Sequence, residues 1–133
     1  MKVYIVGRGA VGTFLGDALG GVGVDVTYAP RDLAGVVPVE ADVAIVATKA
    51  YDTDDAVETL RKAIAHPQNC VFVSPQNGVG NEEKLAAAFG ADNVVAAALT
   101  VPVDRDREGH ASATRDGGLA FAPMGHSAFN WLT

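Results

Sequence analysis

Gly7, Gly9 and Gly12 stand in G-x-G-x-x-G spacing, within the run Gly7-Arg8-Gly9-Ala10-Val11-Gly12. Glycines so spaced suit one task, cradling the pyrophosphate of a dinucleotide. The first permits a tight turn, the second lets backbone approach the phosphates, and the third lets a helix lie close on the preceding strand. Ala10 and Val11 open that helix, whose free N–H groups and positive dipole end face the anion. Arg8, inside the turn, could touch phosphate or project into water.

Three more positions could carry chemistry. Pro30-Arg31-Asp32 follows the second apolar run, where a dinucleotide domain reads the adenosine ribose. A carboxylate there accepts ribose hydroxyls and suits NAD, whereas an arginine accommodates a 2′-phosphate and suits NADP. Arg31 comes first, so the reading favours NADP, with Asp32 keeping NAD open; a weak surface pair of the two is the bland alternative. Lys49, in Thr48-Lys49-Ala50-Tyr51-Asp52, directly follows another apolar run. As a compact cation it could meet a ribose hydroxyl or a substrate carboxylate, or be a solvated loop lysine. Asn77, in Gln76-Asn77-Gly78, lies in a turn and has an amide able to fix a nicotinamide or a keto acid.

Placing these residues takes parallel strands whose carboxyl ends meet at one edge. Lys2 to Val6 predicts the first strand, and Val11, Phe14, Leu15, Ala18 and Leu19 predict one buried face of the helix after the glycine turn. Further strands are predicted over Val24–Tyr28, Asp42–Ala47, Asn69–Ser74 and Asn93–Leu99, with helices over Thr53–Ala65 and Glu82–Phe89. Asn81 is a candidate helix N-cap. The alternation gives an α/β, Rossmann-type, doubly wound and mostly parallel sheet with helices on both faces. Arg31 to Glu40 is too short for a full parallel crossover, so the third strand is expected to be abbreviated, a stub of edge strand over Val36–Val39.

The chain has 133 residues, 49% hydrophobic and 20% charged, which suits a single dinucleotide-binding domain over 1–133. A formal charge of −6 argues against nucleic acid. The N-terminal apolar run is too short for a membrane span or a signal segment, so a cytoplasmic location is expected. Cys70 is the single cysteine and reads as a small buried hydrophobe; with His66, His110 and His126 it forms no metal-spaced cluster, and no metal is expected.

The turn GRGAVGTFLG, Arg31, the ATKAYD segment around Lys49 and the QNGVGNEEKL segment around Asn77 together resemble the N-terminal domain of the 2-dehydropantoate 2-reductase (ketopantoate reductase) family. Arg107-Glu108-Gly109-His110 and Gly117–Phe121 look like that family's closing strands. The resemblance implies NADPH along Gly7–Gly12 and Arg31. It also implies Lys49 and Asn77 beside the nicotinamide and a small 2-keto acid, both as catalytic and cofactor contacts. Members of ordinary length continue into a helical domain bearing the lysine general acid. Within these 133 residues that domain is expected to be absent, so that a homo-oligomer, a partner chain or a missing domain would complete the site. The alternative is a non-catalytic NADP(H)-binding module. A glycine-loop methyltransferase would want a carboxylate where Arg31 stands.

Overall fold

Lys2–Val6 forms β1, buried from Val3 onward. A strand covered on both faces reads as an unbroken apolar run, and Val-Tyr-Ile-Val is one. The computed structural model describes residues 1–49, 52–75, 80–113 and 115–125. After β1 come α1 (Ala10–Gly21), β2 (Asp25–Tyr28), β3 (Val43–Val46), α2 (Thr53–Ala63), β4 (Val71–Ser74), α3 (Asn81–Phe89), β5 (Val94–Leu99), β6 (Val103–Arg105), β7 (Ala111–Ala113) and β8 (Leu119–Pro123).

One sheet has the order β2-β1-β3-β4-β5-β8. Its first five strands run parallel and β8 runs antiparallel to β5, so the mostly parallel α/β sheet expected from the alternation is present. β6 and β7 pair with each other as a separate hairpin that packs on α1. The chain runs outward from β1 to β2, then returns to lay β3 on the other side of β1. Strand order reverses there, and in an open parallel sheet the crevice at such a reversal is where ligands bind.

Each face of the sheet has its own core. Val3, Ile5 and Ile45 pack under Leu15 and Leu19 of α1. Tyr4, Val6, Ala44, Val46 and Phe72 pack with Leu60 of α2 and Leu85 of α3. Phe72 stacks on Phe89 with ring centroids 4.0 Å apart. The two helices are tied at their starts: the Thr53 hydroxyl donates to the Asn81 side-chain oxygen at 3.0 Å, and both residues are buried.

Several boundaries differ from the sequence expectation. The most buried residues of α1 are Gly12 and Gly16, while Ala18 is exposed, because glycine lets the helix backbone itself approach the sheet. Asn81 is the first residue of α3 and not its cap; Gly80 takes the cap position with φ +92°. Pro67–Asn69 and Ala91–Asn93 form single 3₁₀ turns ahead of β4 and β5, and α2 stops at Ala63. Val36–Val39 does not extend the sheet beyond β2. Val39 instead bridges Ile64 just past α2, its N–H donating to the Ala63 carbonyl at 2.8 Å. So short an interval cannot carry the chain over and back along β2. Arg107–His110 is the turn of the β6–β7 hairpin rather than a strand, whereas Leu119–Phe121 belongs to β8 as expected. Among the described residues, no helix is long and apolar enough to cross a membrane.

Candidate dinucleotide site

The turn between β1 and α1 needs its glycines for separate reasons. Gly7 has φ +105°, and a β-carbon there would lie 2.7 Å from the Ala47 carbonyl oxygen at the end of β3. A β-carbon on Gly12 would collide with the Gly7 carbonyl oxygen, so helix and strand meet backbone to backbone. Gly9 differs. Its φ of −72° is open to any residue, and a β-carbon there would meet no atom of the described residues within 4 Å. Among the described residues nothing requires glycine at position 9, and the space they leave beside it suits a ligand.

α1 begins at this space with no acidic residue in its first turn and, among the described residues, no side-chain cap. The leading N–H groups of a helix have no partner inside it, and they carry the positive end of the dipole. An anion is the natural occupant.

A cavity of about 960 Å³ opens beside the turn, walled by Gly7, Arg8, Gly9 and Thr13, by Tyr28, Ala29, Pro30 and Arg31 after β2, and by Arg105 and His110 of the hairpin. The Arg8 guanidinium lies over the Tyr28 ring, 4.4 Å from its centroid, and the Tyr28 hydroxyl donates to the Gly12 carbonyl at 3.2 Å. Burial raises the Tyr28 hydroxyl pKa, with the Asp17 carboxylate adding to the rise and Arg8 opposing it. Tyr28 therefore stays a neutral donor at physiological pH. Gly16 makes room for that ring, since a β-carbon on it would strike the hydroxyl.

Arg31 belongs to the cavity wall and Asp32 does not. The Asp32 carboxylate accepts the Ala34 N–H at 2.9 Å, so it is occupied in its own turn. A second cavity, about 340 Å³, is lined by Val11, by Pro75 after β4, and by Leu99–Val103 from the end of β5 to the start of β6. The carboxyl ends of β1 and β2 thus line the larger chamber, and those of β4 and β5 the smaller.

The expected site residues separate as follows. Gly7, Arg8, Gly9 and Arg31 share the larger chamber, Val11 lines the smaller, and Ala10 and Gly12 lie in the helix start between them. Lys49 follows β3 at the same edge, exposed and outside the walls of both chambers, with its carbonyl accepting the Asp52 N–H at 2.9 Å. Asn77 lies outside the described residues. Sequence reasoning missed Tyr28 and the hairpin residues Arg105 and His110. The hairpin had a legible signal, since Asp106-Arg107-Glu108-Gly109 between two short alternating segments is turn chemistry.

A family model described as ketopantoate reductase PanE/ApbA matches residues 36–126. The chain belongs to this family. The matched stretch takes in Lys49, Asn77 and the hairpin; it begins after the glycine turn and Arg31, which therefore rest on their geometry. The 2-dehydropantoate 2-reductase of Pyrococcus horikoshii is 31% identical over 115 residues, covering 68% of this chain and 37% of that protein. Among solved structures, a PanE/ApbA family ketopantoate reductase from Ralstonia eutropha superposes with a TM-score of 0.77 at 27% identity, covering 98% of this chain and 52% of its own. D-mandelate dehydrogenase, solved with NADH and anilino(oxo)acetate, shares the fold with a TM-score of 0.81 at 15% identity, covering 99% of this chain and 51% of its own. The chain thus spans between about a third and a half of the length of these ketopantoate reductase relatives and structural neighbours.

Proposed function

We propose that the chain binds NADPH along Gly7–Gly12 and Arg31, as the cofactor half of an oxidoreductase that reduces a 2-keto acid, 2-dehydropantoate to pantoate. One observation carries this reading: position 9 is glycine where no atom of the described residues requires it, beside a helix start that none of their side chains caps and a cavity holding Arg31. Family membership supplies the reaction class.

The residues fit a dinucleotide. The glycine turn and the N–H groups of Ala10, Val11 and Gly12 would hold the pyrophosphate. Arg31 would pair with the 2′-phosphate through charge-assisted hydrogen bonds. The chamber between Val11 and Pro75 would take the nicotinamide end. When bound, the reduced nicotinamide supplies a hydride to the keto carbon. The carbonyl oxygen then needs a proton and the carboxylate a cation; a positioned general acid typically contributes about 10² to 10⁴-fold. Lys49 at the carboxyl edge could serve one of these needs, with Asn77 orienting the ring or the keto acid. A second copy or a further segment would supply the other.

The test is a titration of the purified chain with NADPH, followed by addition of 2-dehydropantoate while the absorbance of the reduced nicotinamide is followed. Saturable binding followed by substrate-dependent oxidation supports both halves of the proposal. Binding without oxidation confines the chain to the cofactor-binding role, and the absence of binding overturns it.

A further inference from the structure

The β6–β7 hairpin carries an arginine into the glycine turn. Arg105 Nη1 donates to the Arg8 carbonyl at 2.6 Å, across 97 residues of sequence, and the same carbonyl accepts the Thr13 hydroxyl at 3.2 Å. The hairpin geometry sets this reach. Gly109, at φ +90°, takes the left-handed corner of the turn beside the guanidinium. The turn is closed by Asp106, whose carboxylate accepts the His110 N–H at 2.8 Å and faces His110 Nδ1 at 3.1 Å.

A guanidinium has five N–H donors in a fixed fork. Among the described residues, its recorded hydrogen bond goes to the Arg8 carbonyl, and no carboxylate lies within ion-pair distance of it. Arg105 therefore faces the large cavity with donors to spare, in the same wall as Arg8 and Arg31. The cavity lining holds three arginines against two carboxylates, Asp17 and Glu108, in a chain with a net charge of −6. Arg8 is drawn onto the Tyr28 ring, and Arg31 stands at the end of β2. Arg105 reaches the turn from another element and is held there by its bond to the Arg8 carbonyl, one residue from Gly9.

We propose that Arg105 is a pyrophosphate contact of the dinucleotide, brought to the glycine turn by the hairpin, which thereby forms a third wall of the cofactor groove. This rests on the dinucleotide reading above and adds the hairpin to it. Because the pyrophosphate is common to NADH and NADPH, Arg105 serves both cofactors alike. Arg31, facing the 2′-phosphate, serves NADPH alone.

The two roles separate in titrations of the 133-residue chain with NADPH and with NADH, comparing the unaltered protein with Arg105→Ala, Arg105→Gln and Arg31→Ala. Loss of a charge-assisted contact predicts that both Arg105 variants bind both cofactors at least about tenfold more weakly, with the NADPH-to-NADH ratio kept. Arg31→Ala should lose affinity for NADPH only. The affinity of the Arg105 variants should also fall less steeply with added salt. Because Arg105 is exposed, the variants should stay folded, melting at most a few degrees lower for the lost bond to the Arg8 carbonyl. Unchanged affinity for both cofactors in either folded Arg105 variant overturns the proposal while leaving the dinucleotide reading intact. So does a loss confined to NADPH, and failure of the unaltered chain to bind either cofactor overturns both.

Discussion

The carbonyl oxygen of Gly7 occupies the space that a β-carbon on Gly12 would need. The closest approach of α1 to β1 is therefore made by backbone, and the obstruction cannot rotate away as a side chain could. Gly12→Val should destabilise the fold by about 1–3 kcal/mol or more, the ordinary cost of overpacking. Gly9→Val should cost about 1 kcal/mol at most, for a poorer N-cap residue, since its backbone angles are ordinary and no described residue crowds it. It should nevertheless abolish NADPH binding. Thermal melts read beside cofactor titrations check the split; two variants that bind normally would reduce the loop to a simple turn.

Arg31 and Asp32 compete in sequence for the ribose but are divided by their contacts. The Asp32 carboxylate caps the Ala34 N–H, while Arg31 enters the cavity wall. NADPH should accordingly bind more tightly than NADH, and Arg31→Ala should erase most of the difference. Equal affinities in the unaltered chain would return the choice to Asp32.

The Cys70 thiol is 1% exposed, and burial, reinforced by the nearby Asp42 carboxylate, pushes its pKa up to about 12 from 9.0. Only the thiolate is an effective nucleophile, so the native thiol should resist alkylation at pH 8 and react promptly once the chain is unfolded. The raised pKa fixes the sign of the pH dependence. Its contribution to stability is complete below about pH 9 and is lost as pH rises from there towards 12, because the unfolded chain ionises first. Denaturant midpoints measured at pH 7, 9 and 10.5 should fall only over the upper interval. Rapid labelling of the native protein would show that the site opens locally.

Lys49 follows β3 on the crevice edge yet stands outside both chamber walls. A role in the nicotinamide pocket predicts that Lys49→Ala, like Asn77→Ala, changes cofactor affinity or residual turnover while leaving the melting temperature within about 1 °C, as exposed positions usually do. A variant that alters neither would make Lys49 a solvated loop residue.

The strands were legible because each buried parallel strand is a short apolar run, and the order of runs and turns left few topologies open. The strand-turn-helix around the glycines and the place of Arg31 after β2 were legible because both are local in sequence. What escaped depends on contacts distant in sequence. Tyr28 looked like one more strand residue until its ring met Arg8 and its hydroxyl met Gly12. Asn81 looked like a cap, but its partner Thr53 lies 28 positions away. Val36–Val39 had strand character, yet its pairing depended on where α2 ended. Arg105 could not be placed at the turn without knowing that the hairpin folds onto α1.

Cofactor binding is the claim on which the rest depends, and an equilibrium titration of the 133-residue chain with NADPH, read by nicotinamide fluorescence, tests it most directly. The expected result is saturable binding of one NADPH per chain, displaced by NADP⁺ and weaker for NADH. A signal that never saturates, at cofactor concentrations reaching millimolar with the chain shown to be folded, would contradict it.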